Sequence, residues 1–201
     1  MATQAEFGPL TRGGSSVLSG TAAGRLHRAA AVRIGFGLIW AIDASFKWLP
    51  GFVHGQTLTQ ELAPGSVHTP VIHQWIQLWH DIATSSPGTF AVGTAVIETL
   101  IALGLIFGFF SNLVFIGSAV YSLGIWSSAE AFGLPWNTPG ITDVGPSVAY
   151  IFASLALVHA YAGATWSLDS RLRPRLGRFA WLAGPTPDEI QHGTAHPAPA
   201  N

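Results

Sequence analysis

The sequence predicts an all-α fold: a polytopic membrane four-helix bundle with an external amphipathic surface helix. Charged residues make up 9% of the 201 residues and apolar ones 49%, whereas a soluble domain carries about 25% charged residues. Four apolar runs fill roughly half of the chain, more than a soluble domain of this size could cover with polar surface. The runs are continuously apolar rather than alternating, the pattern of spanning helices and not of barrel strands.

In chain order, residues 1–24 are rich in Ala, Ser, Thr and Gly, contain no apolar core of a secretory signal, and read as a flexible cytoplasmic tail. The membrane domain is placed at 25–182. Its first span, Ala31–Phe52, contains Arg33, Asp43 and Lys47; the arginine suits one interface, and the lysine can snorkel toward the other. The second, Phe90–Phe110, has Glu98 as its sole charge. A short turn leads to the third, Asn112–Ser128. The fourth, Ser147–Trp166, has His159 as its strongly polar member. Residues 183–201 read as a second flexible cytoplasmic tail.

The stretch Gly51–Pro87 between the first two spans is too long for a plain connection. After Pro70, the residues Val71, Ile72, Trp75, Leu78, Trp79 and Ile82 recur at helical spacing opposite His73, Gln77, His80, Asp81 and Thr84. Such a helix lies at the outer interface, either as a surface element alone or also as a lid over a site between the spans. His73 and His80 stand two turns apart, about 10 Å along the axis, too far to chelate one ion unaided, and no metal site is predicted. The second outer loop, 129–147, is punctuated by Gly and Pro and adds Glu130 and Asp143.

Charges inside hydrocarbon are costly and mark the candidate site. Asp43 and Lys47, at i,i+4 on the first span, are placed to pair with each other; they either fix the helix or line an outward pocket that handles protons or an anionic substrate. Glu98 lies near mid-depth with no basic residue within a turn. Its partner must come from another helix: Lys47, His159, Tyr121 or Tyr150. It is either a packing device or the proton-transfer and quinone-contacting residue. His159 can bond a quinone carbonyl or merely satisfy a neighbour; bis-histidine haem would need a second intramembrane histidine. The candidate catalytic residues are therefore Glu98, Asp43 and Lys47, and the candidate cofactor-binding residues are His159, Tyr121, Tyr150 and Arg33. Cysteine is absent, which excludes disulfides, thiolate nucleophiles, Cys-ligated iron–sulfur clusters and covalent c-type haem. The net charge of -1 gives no broad surface for nucleic acid.

Arg33, Gly35, Gly37, Asp43 and Lys47 followed by Leu49–Pro50–Gly51, and Glu98 followed by Ala102–Leu103–Gly104–Leu105–Ile106–Phe107–Gly108, resemble the DoxX/DoxD-like membrane protein family. The segments Gly140–Ile141–Thr142–Asp143–Val144–Gly145 and Ser167–Leu168–Asp169 also resemble its DoxD-like branch. The resemblance covers roughly Arg33 to Arg173. It implies a four-span protein, with Arg33, Asp43, Lys47 and Glu98 as the matching positions. One branch is associated with the membrane subunit of thiosulfate:quinone oxidoreductase, which passes electrons from thiosulfate to quinone. The leading expectation is a membrane subunit of an oxidoreductase complex that contacts quinone while a partner supplies the primary redox centre. Thiosulfate itself is disfavoured, since the outer loops are acidic and contain no Lys or Arg. The alternative is a non-catalytic scaffold or accessory subunit. The expected partners are the lipid bilayer and other membrane or extracytoplasmic subunits.

Orientation follows from the arginines. Arg12, Arg25, Arg28 and Arg33 flank the first span, Arg171, Arg173, Arg175 and Arg178 follow the last, and none lies in either outer loop. The expected location is the inner (plasma) membrane with both termini cytoplasmic. In this cysteine-free chain, a single cysteine at Thr57 should then react with an impermeant thiol reagent in intact cells, and one at Gln191 should not. Reaction at Gln191 alone would reverse the orientation.

Overall fold

The computed structural model describes residues 14–65, 67–134 and 142–193. Among these the chain is helical, with no strand. The helices are α1 (Gly14–Lys47), α2 (Pro50–Val53), α3 (Gln56–Glu61), α4 (Pro70–Ser85), α5 (Pro87–Phe107), α6 (Ser111–Ser127), α7 (Pro146–His159), α8 (Asp169–Leu172) and α9 (Pro187–Gln191). Proline opens α2, α4, α5, α7 and α9, where its fixed φ and missing N–H are tolerated. Among the described residues two helices are long and apolar enough to cross a membrane: α1 over Gly20–Lys47, and α5.

The long helices pack as two pairs, α1 along α5 and α6 along α7, joined where α5 meets α6. Gly37 lets α1 approach α5 closely, since a Cβ there would meet Leu105 and Ile106. The inner faces bury Phe36, Trp40, Ile101, Ala102, Leu105, Phe115 and Leu157. They also bury polar groups: Arg33, Glu98, Ser118, Ser122 and Ser154. The outer faces are apolar, with Leu38, Ile42 and Phe46 exposed on α1, Val96 and Leu100 on α5, Val120 on α6 and Phe152 on α7. Helices α2 to α4 cover one end of the bundle through a second cluster of Phe52, Leu58, Leu62, Ala83 and Ala91, with Trp79 and Phe90 against it.

The opposite end is closed by two buried charged side chains, Arg33 and Asp169. Arg33 is 0% exposed, and its guanidinium donates to the carbonyls of Leu105 (2.9 Å), Ala162 (2.7 Å), Thr165 (3.3 Å) and Trp166 (2.6 Å). The helix expected to run to Trp166 therefore ends at His159. Beyond it the backbone turns its carbonyls onto the buried cation, with Tyr161 and Trp166 at positive φ. Gly108, also at positive φ, ends α5 where a Cβ would meet Arg33 and Ser167. Beside it, Asp169 is 0% exposed and accepts from the N–H groups of Phe110 (2.7 Å), Ser111 (2.8 Å) and Gly184 (2.7 Å), capping α6 and anchoring the chain after α7.

Several boundaries differ from those the sequence predicts. Residues 14–24 form part of α1 instead of a tail, and the first span ends at Lys47 because Pro50 starts a new turn that folds Phe52 inward. The stretch from 183 is ordered as far as α9: Thr186 and Glu189 form a capping box, and Glu189 pairs with Arg173 at 2.7 Å. On α4, Val71, Trp75, Leu78 and Ile82 of the apolar stripe are exposed, as an interface helix allows, while Ile76 and Ala83 are buried. The tail expected over 1–13, the end of the second tail and the middle of the second outer loop (135–141) lie outside the described residues.

Replacing Arg33 by Met would strand four carbonyls and leave Asp169 without its neighbouring cation; the expected loss is about 3 kcal/mol or more, read as a lower midpoint of thermal unfolding in detergent. Burial works against ionisation of Glu189, but hydrogen bonds from Thr186 and Arg173 outweigh it and hold its pKa below the ordinary 4.5. The unfolded chain would bind that proton first, so the anchoring of α9 should be complete above that value and fade as the pH falls below it. Proteolysis of the C-terminal segment against pH should show the change, and Glu189→Gln should abolish it.

Candidate functional site

At the end away from Arg33 the two helix pairs separate, and the space holds the polar residues that the sequence singles out. Glu98 comes from the middle of α5 and is 2% exposed. Its Oε1 accepts from the Tyr121 hydroxyl of α6 at 3.0 Å, while its Oε2 is buried with no hydrogen-bond partner. Tyr150 of α7 donates instead to Asp43 Oδ2 of α1 at 2.6 Å. The two phenol–carboxyl couples flank Trp40, whose ring lies 6.0 Å from Tyr121 and 5.2 Å from Tyr150.

The expected Asp43–Lys47 pair does not form. Asp43 turns inward to the phenol of Tyr150, whereas Lys47, in the last turn of α1, reaches the covering helices: its Nζ lies 3.9 Å from Glu61 and 4.4 Å from the centre of the Phe52 ring. His159 stands at the C-terminal end of α7, exposed, with Nδ1 bonded to the Leu155 carbonyl at 2.8 Å, and lines neither chamber described below. Arg33 is likewise remote, held by its four carbonyls. Of the candidate residues, the structure gathers Glu98, Asp43, Lys47, Tyr121 and Tyr150, and sets His159 and Arg33 apart from them.

Two chambers meet at Glu98. A polar one of about 300 Å³ is bordered by Trp40, Asp43, Lys47, Glu98, Ser122, Glu130, Ser147 and Tyr150. A larger, mainly apolar one of about 770 Å³ lies under α2 to α4, between Phe52, Leu58, Leu62, Trp79, Ile82, Phe90, Ile97, Val120, Tyr121 and Ala129. Lys47, Glu98 and Ile125 line both. Three of the polar atoms at these walls are buried without a partner besides Glu98 Oε2: Trp40 Nε1, Ser122 Oγ and Trp79 Nε1. Such an atom costs about 1–3 kcal/mol when unsatisfied, so four around one site mark a surface built to be completed by something else.

Trp40, Ser122 and Glu130 are site residues that the sequence reading missed. Trp40 stands at i−3 from Asp43, on the same face of α1. Ser118 and Ser122 stand at i,i+4 in an otherwise apolar helix, and Ser118 bonds Ser154 of α7 at 2.9 Å; that spacing was the available signal for the inner face of α6. Glu130 caps α7 by accepting from the Ser147 backbone N–H at 3.3 Å, and it also accepts from the Ser147 hydroxyl at 2.6 Å. Among the described residues no group of three or more His, Asp and Glu is close enough to hold a metal ion.

The chain matches no protein-family model, no curated protein and no solved structure.

Double-mutant cycles separate the couplings. Asp43 with Tyr150 should couple by about 1–3 kcal/mol, as a short charge-assisted bond away from bulk water does. Lys47 with Glu61, longer and half-exposed, should give less than about 1 kcal/mol. A larger value for Asp43 with Lys47 than for Asp43 with Tyr150 would contradict this geometry.

Proposed function

We propose that the chain is a four-span membrane protein, with α6 and α7 crossing beside α1 and α5, and that it serves as the quinone-contacting membrane subunit of an oxidoreductase complex whose partner supplies the primary redox centre. The distribution of polarity supports the membrane reading: the long helices turn apolar faces outward and keep Glu98, Arg33 and the serines inside, the reverse of a soluble bundle. Helix α6 has 17 residues and α7 has 14, rises of about 25 and 21 Å against roughly 30 Å of hydrocarbon. The folded turns at either end would complete the crossing. The arginine-rich face would be cytoplasmic and the face carrying α2 to α4 external, in the inner (plasma) membrane.

The observation that carries the quinone reading is the pair of chambers joined at a buried carboxyl. The apolar chamber has the size of a small-molecule site, and its rim includes Ile97 and Val120, both exposed on the outer apolar faces. A ligand with an apolar tail can thus enter from lipid. The residues fit a quinone: Trp79 Nε1–H is an unsatisfied donor for a carbonyl oxygen, Phe90 and Tyr121 offer ring faces, and Glu98 sits where the polar head would end. A bound quinone would supply two-electron, two-proton carrier chemistry. The chain's own part is to orient the head through Trp79, to exclude water with Leu58, Leu62 and Ile82, and to hold or give a proton at Glu98. The resemblance to DoxX/DoxD-like proteins points to the same class of function.

A second reading, an accessory subunit that grips other proteins, is favoured by one feature: the exposed stripe Val71, Trp75, Leu78 and Ile82 on α4 beside loops without Lys or Arg. The two readings part on a single preparation. Protein purified in mild detergent should retain quinone at near one equivalent, and Trp79→Phe should lower that retention several-fold without loss of fold. Glu98→Gln should assemble normally yet lose most quinone-coupled turnover in the parent complex. A Gln variant with wild-type turnover and pH dependence would remove Glu98 from the reaction, and a quinone-free wild-type protein held in a large complex would favour the accessory subunit.

A further inference from the structure

We infer that the polar chamber is the proton inlet of Glu98: it loads that carboxyl from the face carrying α2 to α4, and not from the arginine-rich face. The inference deepens the proposed function and rests on its reading of the chain as membrane-spanning, but not on the identity of the ligand in the apolar chamber.

The argument begins with the two oxygens of Glu98. One is occupied by Tyr121, which borders the apolar chamber. The other is buried and unpartnered, and the residue also lines the polar chamber. Ser122 Oγ and Trp40 Nε1, likewise buried and unpartnered, lie on the wall of that chamber. A serine hydroxyl both donates and accepts, an indole N–H donates, and a carboxyl does either according to its proton. Together they can hold a short file of water, and a chamber of about 300 Å³ has room for several molecules at about 30 Å³ each.

The far rim sets the direction. It is formed by Phe46 and Lys47 at the end of α1, Glu130 after α6 and Pro146 at the start of α7, and Pro146 is exposed. Toward the opposite face the path is blocked by buried Phe36, Leu105, Phe115 and Leu157, and then by Arg33, a fixed cation that opposes the passage of a proton. The charged and titratable groups lining the inlet beside Glu98 are Asp43 and Lys47 on α1, Tyr150 on α7 and Glu130 beyond α6, while Glu61 on α3 and Tyr121 on α6 face Glu98 from the apolar chamber. Carboxylates outnumber the one amine, which itself leans on Glu61, so the inlet draws cations. The step is a proton transfer alone: a hydronium ion at the rim gives up one proton along the water file, and Glu98 changes from carboxylate to neutral acid.

A hydrophobic carbodiimide tests this without any turnover, because it enters from lipid and reacts with the protonated carboxyl. Oriented vesicles containing the full chain, their sidedness fixed by a cysteine at Thr57, would be treated with dicyclohexylcarbodiimide while the pH is set separately on each face. The Glu98 adduct would be read by mass spectrometry, with Glu98→Gln as the blank. The expected rate follows the pH of the α2–α4 face, falling about tenfold per unit above the midpoint as a single titrating carboxyl demands, and ignores the pH of the other face. Ser122→Leu, which fills the inlet with apolar bulk, should make the rate insensitive to both faces over the labelling time. Labelling that follows the arginine-rich face, or a Ser122→Leu variant that still follows the α2–α4 face, would overturn the inlet. Failure to retain quinone alongside the expected sidedness would overturn only the ligand reading.

Discussion

The structure depends on a guanidinium sealed away from water. An arginine buried in an apolar bundle is tolerable only when its donors are met and a counter-charge is near. Arg33 satisfies both conditions by gathering carbonyls from the end of α5 and from the segment after α7, with Asp169 beside it. Its demands explain features that look unrelated: the early end of α7, the positive φ at Tyr161 and Trp166, and the glycine at 108. Asp169 repeats the logic with opposite sign, meeting three backbone donors from two sequence-distant segments. One end of the bundle is thereby pinned by fixed charges and their hydrogen bonds.

A bundle pinned at one end can remain open at the other. There, closure falls to the short helices α2 and α3 and to α4, held by apolar contact and by the long Lys47–Glu61 pair. No side chain at that end plays the part of Arg33, and the polar groups near it are left partly unmatched: Glu98 by half, Trp40, Trp79 and Ser122 entirely. At the closed end Ser111 Oγ is likewise buried without a partner, but it borders neither chamber. At the open end Glu98, Trp40, Trp79 and Ser122 border two chambers, so in the proposed function stability and chemistry lie at opposite ends of one axis.

The sequence carried much of this, and its failures are physically informative. Apolar run length placed α5 and α6 closely, because burial in either lipid or core rewards the same pattern. Glu98, Asp43, Tyr121 and Tyr150 were legible as site residues since a polar group in an apolar run needs a reason. The pairing was not legible. Helical spacing favoured Asp43 with Lys47, but a tertiary partner, Tyr150, lies over a hundred positions away and no local rule reports it. The role of Arg33 was hidden for the same reason: its acceptors are backbone carbonyls, which have no sequence signature. His159 misled because a span assumed to reach Trp166 put it at mid-depth, whereas unwinding around Arg33 leaves it at the helix end.

The placement of Glu98 then has a simple physical sense. A carboxyl wholly within the apolar chamber would be too costly to ionise, and one wholly within the polar chamber could not reach a ligand seated among apolar walls. On the shared wall it has one oxygen tied to Tyr121 and the other without a partner, so it can change protonation without breaking the hydrogen bond that fixes its position. Tyr150 and Asp43 do not compete for that role, since their bond closes on itself across α1 and α7. What they contribute is rigidity on the far side of Trp40, holding the indole so that its N–H keeps to the chamber wall. The catalytic reading thus needs no motion of the helices: the carboxyl, the indole and the serine are already placed, and the pinned end keeps them there.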